Sequence, residues 1–326
     1  SLFSAYNEMQ EAQFVALKSK ELIEAGVAPK EIAVLYRANF QSRILEEVFL
    51  AMDIPYQVLG VRFFERKEVK DILAFLSAAL NPDSISDMKR IINVPARGIG
   101  KVTLLKIVEG RENELSAKVA QKVADFKHLL ERIAETAMSK NPSETIKFIL
   151  KESGIETVLK TKNEEDLERL ENIKELATLA MRYDKLSPQE GIEKLLEDAA
   201  LASDQDELKE DKNAVRLMTV HASKGLEFGI VFITGLEDGL FPHTSMSDEK
   251  RDDEEERRLF YVALTRAKKK VFLTYASVRT IFGSQTVNLP SDFIMDIEDD
   301  LIDEVSLDNV DGIDDTNHTS REFLIL

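Results

Sequence analysis

The sequence predicts an α/β protein in which a parallel-sheet domain is interrupted by an all-helical insertion. Three observations predict it. Short apolar runs bounded by turn residues occur at 31–36, 56–60, 215–220, 230–234 and 271–275, as expected of strands buried on both faces. Helical periodicities alternate with these runs in both parts of the chain, the pattern of a parallel sheet with crossover helices. Between residues 81 and 212 the strand-like runs vanish and helical patterns follow one another.

Each element has its own warrant. Residues 6–25 read as a helix because Phe14, Leu17 and Leu22 recur at helical spacing among charges. The run from Glu31 through Val34 to Tyr36 is a buried strand. An amphipathic helix follows from Arg43 to Met52, with Ile44, Val48 and Ala51 on one side. Pro55 ends it, Tyr56 to Gly60 reads as a strand, and 65–79 returns to helix. Helices are expected at 85–92, 102–108, 117–136, 143–152, 164–182 and 188–200, separated by signals such as Asn141-Pro142 and Ser187-Pro188. Strands resume at Val215 and at Ile230. A helix from Glu254 to Lys268 precedes the strand Val271 to Tyr275. The expected organisation is one α/β domain built from 1–80 and 213–295, a helical insertion at 81–212, and a mobile acidic tail at 296–326.

Composition narrows the class. With 326 residues the chain is long enough for two ordinary domains. No apolar run approaches the ~20 residues that span a bilayer, so no membrane partner is expected. No signal peptide opens the chain, and Ser1 in place of Met is expected of a fragment or of a processed chain. The absence of cysteine excludes disulfides and thiolate metal sites and points to the cytoplasm. Four scattered histidines show no metal-ligand spacing. A net charge of −17 argues against nucleic acid at first sight. From Asp296 onward, however, 11 acidic residues and one arginine carry −10, which leaves −7 on the other 295 residues and allows local basic patches.

Three segments carry the chemical signal. Ala33 to Arg43 ends a strand in Tyr36 and Arg37, just before a helix. Leu217 to Phe228 runs a strand through Thr219 and His221 into the small polar loop Ala222-Ser223-Lys224-Gly225-Leu226-Glu227. Glu254 to Lys268 is a helix whose small and apolar end carries Arg266. In open α/β sheets ligands sit at the carboxyl ends of strands. Taken singly, Tyr36 reads as a packing residue, Arg266 as a surface arginine, His221 as a turn residue and Phe282 as core. The acidic stretch Asp252 to Glu256 reads as charge favouring a helix N-terminus, and Lys268 to Lys270 as a solvated edge.

Together these segments resemble motifs IV, V and VI of the UvrD/PcrA/Rep type of superfamily 1 DNA helicase, in that family's order. Leu236 to Pro242 and Arg279 to Gly283 also match, and the resemblance covers roughly residues 5–295. It implies a RecA-like parallel-sheet domain of the P-loop NTPase helicase type. It further implies a 3′-to-5′ ATP-dependent helicase or translocase of DNA repair or replication, with ATP and Mg²⁺ as cofactors. The implied partners are single-stranded DNA, a single-strand/duplex junction and an N-terminal RecA-like domain. Residue by residue, Tyr36 resembles an adenine-stacking aromatic. Arg37 and Arg266 resemble the catalytic arginines that reach the γ-phosphate, and Glu227 a ribose-binding carboxylate. Thr219, His221 and Phe282 resemble contacts to the single strand. An arginine finger suits phosphoryl transfer because its planar fork stays charged and binds phosphate bidentately. Stacking on an aromatic tolerates any base sequence.

In the helical block, Asn93 to Thr103 places Gly98-Ile99-Gly100 ahead of a helix. Backbone N–H groups exposed there would form a phosphate site. The stretch resembles the duplex-contacting hairpin of the family's inserted domain, with Arg97, Lys101 and Thr103 assisting Gly98 and Gly100. No Gly-x-x-x-x-Gly-Lys-Ser/Thr occurs in the sequence, so phosphate-cradling and Mg²⁺ ligands are expected in the N-terminal domain, and this chain is expected to be inactive alone. The alternative is a non-catalytic DNA-binding or protein-interaction module derived from a helicase.

Overall fold

The computed structural model describes residues 1–160, 163–207, 213–243, 253–281 and 283–305. The chain divides into two compact units: Ser1–Arg62 with Lys209–Thr280 and Gln285–Leu326, and Phe63–Leu208 with Ile281–Ser284.

The first unit is built on a sheet of eight strands among the described residues: β1 (Leu2–Asn7), β2 (Ile32–Tyr36), β3 (Tyr56–Val58), β4 (Val215–Thr219), β5 (Phe228–Ile233), β6 (Ala267–Ile281), β7 (Ser284–Val287) and β8 (Glu304–Val305). Seven of them run β3-β4-β2-β5-β6-β1-β8, and every neighbouring pair in that series is parallel. In the centre, Val34 sits level with both Leu217 and Phe232. All five residues of β2 and all six of β5 are buried, which is why the sequence shows unbroken apolar runs there.

Side-chain alternation along β2 sends Ile32, Val34 and Tyr36 into one layer and Ala33 and Leu35 into the other. The first layer is closed by the helices Glu8–Glu24 and Ser42–Ala51, with Phe3 stacked on Phe14 at 3.9 Å and Phe232 on Phe272 at 4.7 Å. The second is closed by Asp253–Leu264 and Asp292–Met295, through Phe241, Phe260 and Phe293.

Three strands lay outside the sequence reading: β1, β8 and the exposed β7, which pairs with β6. Leu2–Asn7, expected as the approach to a helix, is β1 and pairs with β6 and β8. Its alternation of buried and exposed positions, too brief to outweigh the helical periodicity after it, was the available signal. The segment expected as tail from 296 onward enters the sheet at Glu304–Val305, where backbone pairing to Leu2 and Phe3 needs no apolar side chain from Glu304. Residues 306–326 of the expected tail lie outside the described residues.

In the second unit the described elements from Lys67 to Glu207 are helices and 3-10 turns. Its core gathers Phe75, Phe126, Ile133, Ile149, Ile173 and Leu176, among others. The division falls between Arg62 and Phe63, not after residue 80. The helix Lys67–Leu80 buries Val69, Ile72, Phe75 and Leu76 in the helical core. Periodicity shows that a helix has an apolar face and not which core that face joins.

Candidate functional site

Parallel strands put all their carboxyl ends on one edge of the sheet and all their amino ends on the other. The carboxyl edge gathers three of the sequence-predicted segments. Chain β2 ends at Tyr36, and the Val220 N–H, just past β4, donates to the Tyr36 carbonyl at 2.9 Å. Thr219 and its neighbours are therefore set beside Arg37. The Thr219 Oγ1 accepts the Ala222 N–H at 3.3 Å, and the buried Ser223 hydroxyl donates to the Val220 carbonyl at 2.7 Å. These bonds shape the tight turn His221–Ser223, which holds His221 and Ala222 at the surface.

Arg37 is buried and held by one carboxylate. Its Nε donates to Glu256 Oε1 at 2.9 Å and to Oε2 at 3.1 Å, and its Nη2 donates to Oε1 at 2.8 Å. Glu256 Oε2 also accepts the His243 N–H at 2.8 Å. Three stretches of chain thus meet at one ion pair: the end of β2, the loop after Leu236-Glu237-Asp238-Gly239-Leu240-Phe241-Pro242, and the helix Asp253–Leu264.

The amino edge holds the other pair of expected site residues. Glu227 immediately precedes β5 and Arg266 immediately precedes β6, and the Phe228 N–H donates to the Arg266 carbonyl at 2.8 Å. The Arg266 guanidinium folds back on its own surroundings, to the Val262 carbonyl (Nε, 3.0 Å), the Leu226 carbonyl (Nη1, 2.9 Å) and Thr265 Oγ1 (Nη2, 3.1 Å). Glu227 pairs with Lys268 at 3.3 Å, both side chains more than half exposed, so the pair is worth at most about 1 kcal/mol.

Two expectations are corrected here. Arg37 and Arg266 are not brought together: six residues of β5 separate the two edges, roughly 20 Å of extended chain. Tyr36 is 1 % exposed and offers no open face for a base, because strand alternation turns its ring into the helix-covered layer with Val34.

Other functional-looking groups gave no sequence signal as pairs. Arg279 is fully buried between Glu11 (Nη2 to Oε2, 2.6 Å) and Glu237, whose Oε2 accepts from its Nε at 2.9 Å. The two carboxylates hold the guanidinium pKa above its ordinary value against the opposing effect of burial. Glu11 also accepts from Gly235 N and Thr274 Oγ1, and Glu237 from Ala276 N and Asn288 Nδ2. Glu256 was read as a dipole-favouring surface charge and is instead buried.

Within the helical unit, the Gly98 loop is built differently from the expectation. The Asn93 side-chain oxygen accepts the N–H groups of Arg97 (2.7 Å), Gly98 (2.9 Å) and Ile99 (3.3 Å), so those donors are occupied. Arg97 turns inward over the rings of Phe75 and Phe126 and donates to the carbonyls of Val94 and Ser153; this burial lowers its pKa. These contacts brace the loop from within the helical unit. Gly98 adopts φ +71°, and a Cβ there would lie 2.6 Å from Lys122 Nζ, which itself donates to the Arg97 carbonyl. Gly100 caps the helix Lys101–Val108, with Lys101 exposed and Thr103 half-buried on its first turn. Phe282 lies outside the described residues. Among the described residues no cluster of acidic or histidine side chains could hold a metal ion, and no helix is long and apolar enough to cross a membrane.

A parallel sheet covered by helices on both faces, with polar and cationic groups at its two edges and a helical unit inserted in the chain, has the architecture of a RecA-like helicase domain. Residues 1–278 match the family described as UvrD-like helicase C-terminal domain, and the chain belongs to that family. It is 39% identical to the ATP-dependent DNA helicase PcrA of Bacillus subtilis (strain 168), over 94% of this chain and 45% of that protein. It is 36% identical to DNA helicase II of Escherichia coli (strain K12), over 94% of this chain and 46% of the relative. The chain therefore spans less than half the length of these curated relatives.

Proposed function

We propose that this chain is the second motor domain, with its helical insertion, of an ATP-dependent DNA helicase that translocates 3′ to 5′, and that the two edges of its sheet divide the work. The carboxyl edge grips single-stranded DNA. The observation that carries this reading is the bond from Val220 N–H to the Tyr36 carbonyl, which sets Arg37 beside the turn His221–Ser223, where His221 and Ala222 are exposed. A cation with neighbouring polar groups suits a phosphate backbone, and sequence-independent grip is what a translocating motor needs. Phe282 adds a base-stacking contact to the same strand.

The amino edge serves the nucleotide. Arg266 reaches the γ-phosphate of ATP by exchanging its bond to the Leu226 carbonyl, and Glu227 accepts from the ribose by leaving Lys268. ATP, when bound, supplies the phosphoryl transfer that drives the motor. Its phosphate cradle and Mg²⁺ ligands belong to an N-terminal RecA-like domain, since this sequence has no Gly-x-x-x-x-Gly-Lys-Ser/Thr. Lys101 and Thr103, on the first turn after Gly100, contact duplex phosphates at a single-strand/duplex junction. The protein works in the cytoplasm, in DNA repair or replication.

The test is ATP hydrolysis at saturating single-stranded DNA, by this chain alone and after adding its N-terminal motor domain. Turnover only on mixing supports the reading. Turnover by the chain alone overturns the half-motor assignment. No turnover on mixing, with the two parts bound to each other, favours a non-catalytic DNA-binding module.

A further inference from the structure

The buried carboxylate of Glu256 is a conspicuous expense for the fold unless it serves the group beside it. It is 6 % exposed, near the start of the helix Asp253–Leu264, and is fixed from a second side by the His243 N–H at 2.8 Å. It grips Arg37 through Nε and Nη2 only, and Nη1 makes no hydrogen bond among the described residues. A guanidinium held along one side by a pinned carboxylate keeps its outer face in one orientation. That is the arrangement of an arginine set to receive an anion through its remaining donors.

We propose that Glu256 is the positioning residue for Arg37, fixing its Nη1 side to meet a phosphate of single-stranded DNA at the carboxyl edge of the sheet. This rests on the reading of that edge as the strand-gripping one. The bland alternative is an ion pair that only staples the helix to β2. The two differ in what DNA binding reports. A staple affects folding, whereas a positioning residue changes how many phosphates the protein neutralises.

The experiment is a double-mutant cycle on the full 326-residue chain, with Arg37→Ala, Glu256→Ala and the double variant. Binding of a fluorescent oligothymidylate is followed by anisotropy across a salt series, and each variant's fold is checked by circular dichroism. Arg37→Ala is expected to weaken binding about 10- to 100-fold, as for loss of a charged hydrogen bond. It should also reduce the slope of log affinity against log salt by about 0.7, one phosphate fewer on a single strand. Glu256→Ala should reproduce both changes and add less than about twofold in the Arg37→Ala background, the signature of two residues acting as one. Glu256→Asp keeps the charge but retracts the carboxylate, and provides a folded variant should the alanine form aggregate. It is expected to lose affinity in part, with the slope unchanged or slightly reduced. An unaltered salt slope together with unaltered or tighter binding in the Glu256 variants, while Arg37→Ala binds weakly, overturns the positioning role alone. Unaltered binding by Arg37→Ala overturns the reading of the edge, and the proposal with it.

Discussion

Replacing Arg279 by methionine tests whether the buried Glu11–Arg279–Glu237 network is a structural keystone. Methionine keeps much of the side-chain volume, so the perturbation is mainly electrostatic. It leaves two carboxylates, one 4 % and one 0 % exposed, without their cation. Removing one partner of a buried ion pair costs about 3–5 kcal/mol, because the remaining charge stays buried. The remaining donors, Gly235 N, Thr274 Oγ1, Ala276 N and Asn288 Nδ2, keep the carboxylates partly satisfied and hold the expected value within that range. For a unit of this size that corresponds to roughly 6–20 °C in melting temperature. The assay is urea and thermal unfolding followed by circular dichroism, at neutral pH. A loss under about 1 kcal/mol at neutral pH would refute the reasoning.

Further outcomes are expected elsewhere in the chain. Arg266→Ala, in the protein carrying its N-terminal motor domain, should lower ATP turnover by about 10³ to 10⁵ while nucleotide binding is largely retained; near-normal turnover would remove Arg266 from the nucleotide edge. Gly98→Ala should destabilise the helical unit by about 1–2 kcal/mol in denaturant melts, because φ +71° strains any side chain and its Cβ must displace Lys122. Burial pushes the Asp71 carboxyl above its ordinary pKa, with Arg90 at 2.7 Å opposing the shift. A raised folded pKa gives stability that is present in acid and lost as pH rises through it, so Asp71→Asn should melt no lower than the parent at neutral pH. A marked fall in its melting temperature would show that the Arg90 pair outweighs desolvation.

What the sequence determined by itself was the class of fold and the identity of its motifs. Runs such as 31–36 and 230–234 are apolar throughout because their strands are covered on both faces, so burial left its imprint on composition. The motif residues after Leu35 and around Arg266 could be found because local chemistry and spacing suffice to find them. The relation between distant segments required the tertiary structure. Arg37 and Arg266 look alike in sequence and stand on opposite edges, since position in a parallel sheet depends on whether a residue follows or precedes its strand. The aromatic Tyr36 was legible as a residue and not as a buried one, because its layer is set by alternation and by which helices cover it. The partners Glu256 for Arg37, and Glu11 and Glu237 for Arg279, lie 219, 268 and 42 residues away in the chain. No local pattern encodes such pairs: a glutamate on a helix looks the same whether it faces water or a buried arginine, and only the packing of the sheet against its helices decides which.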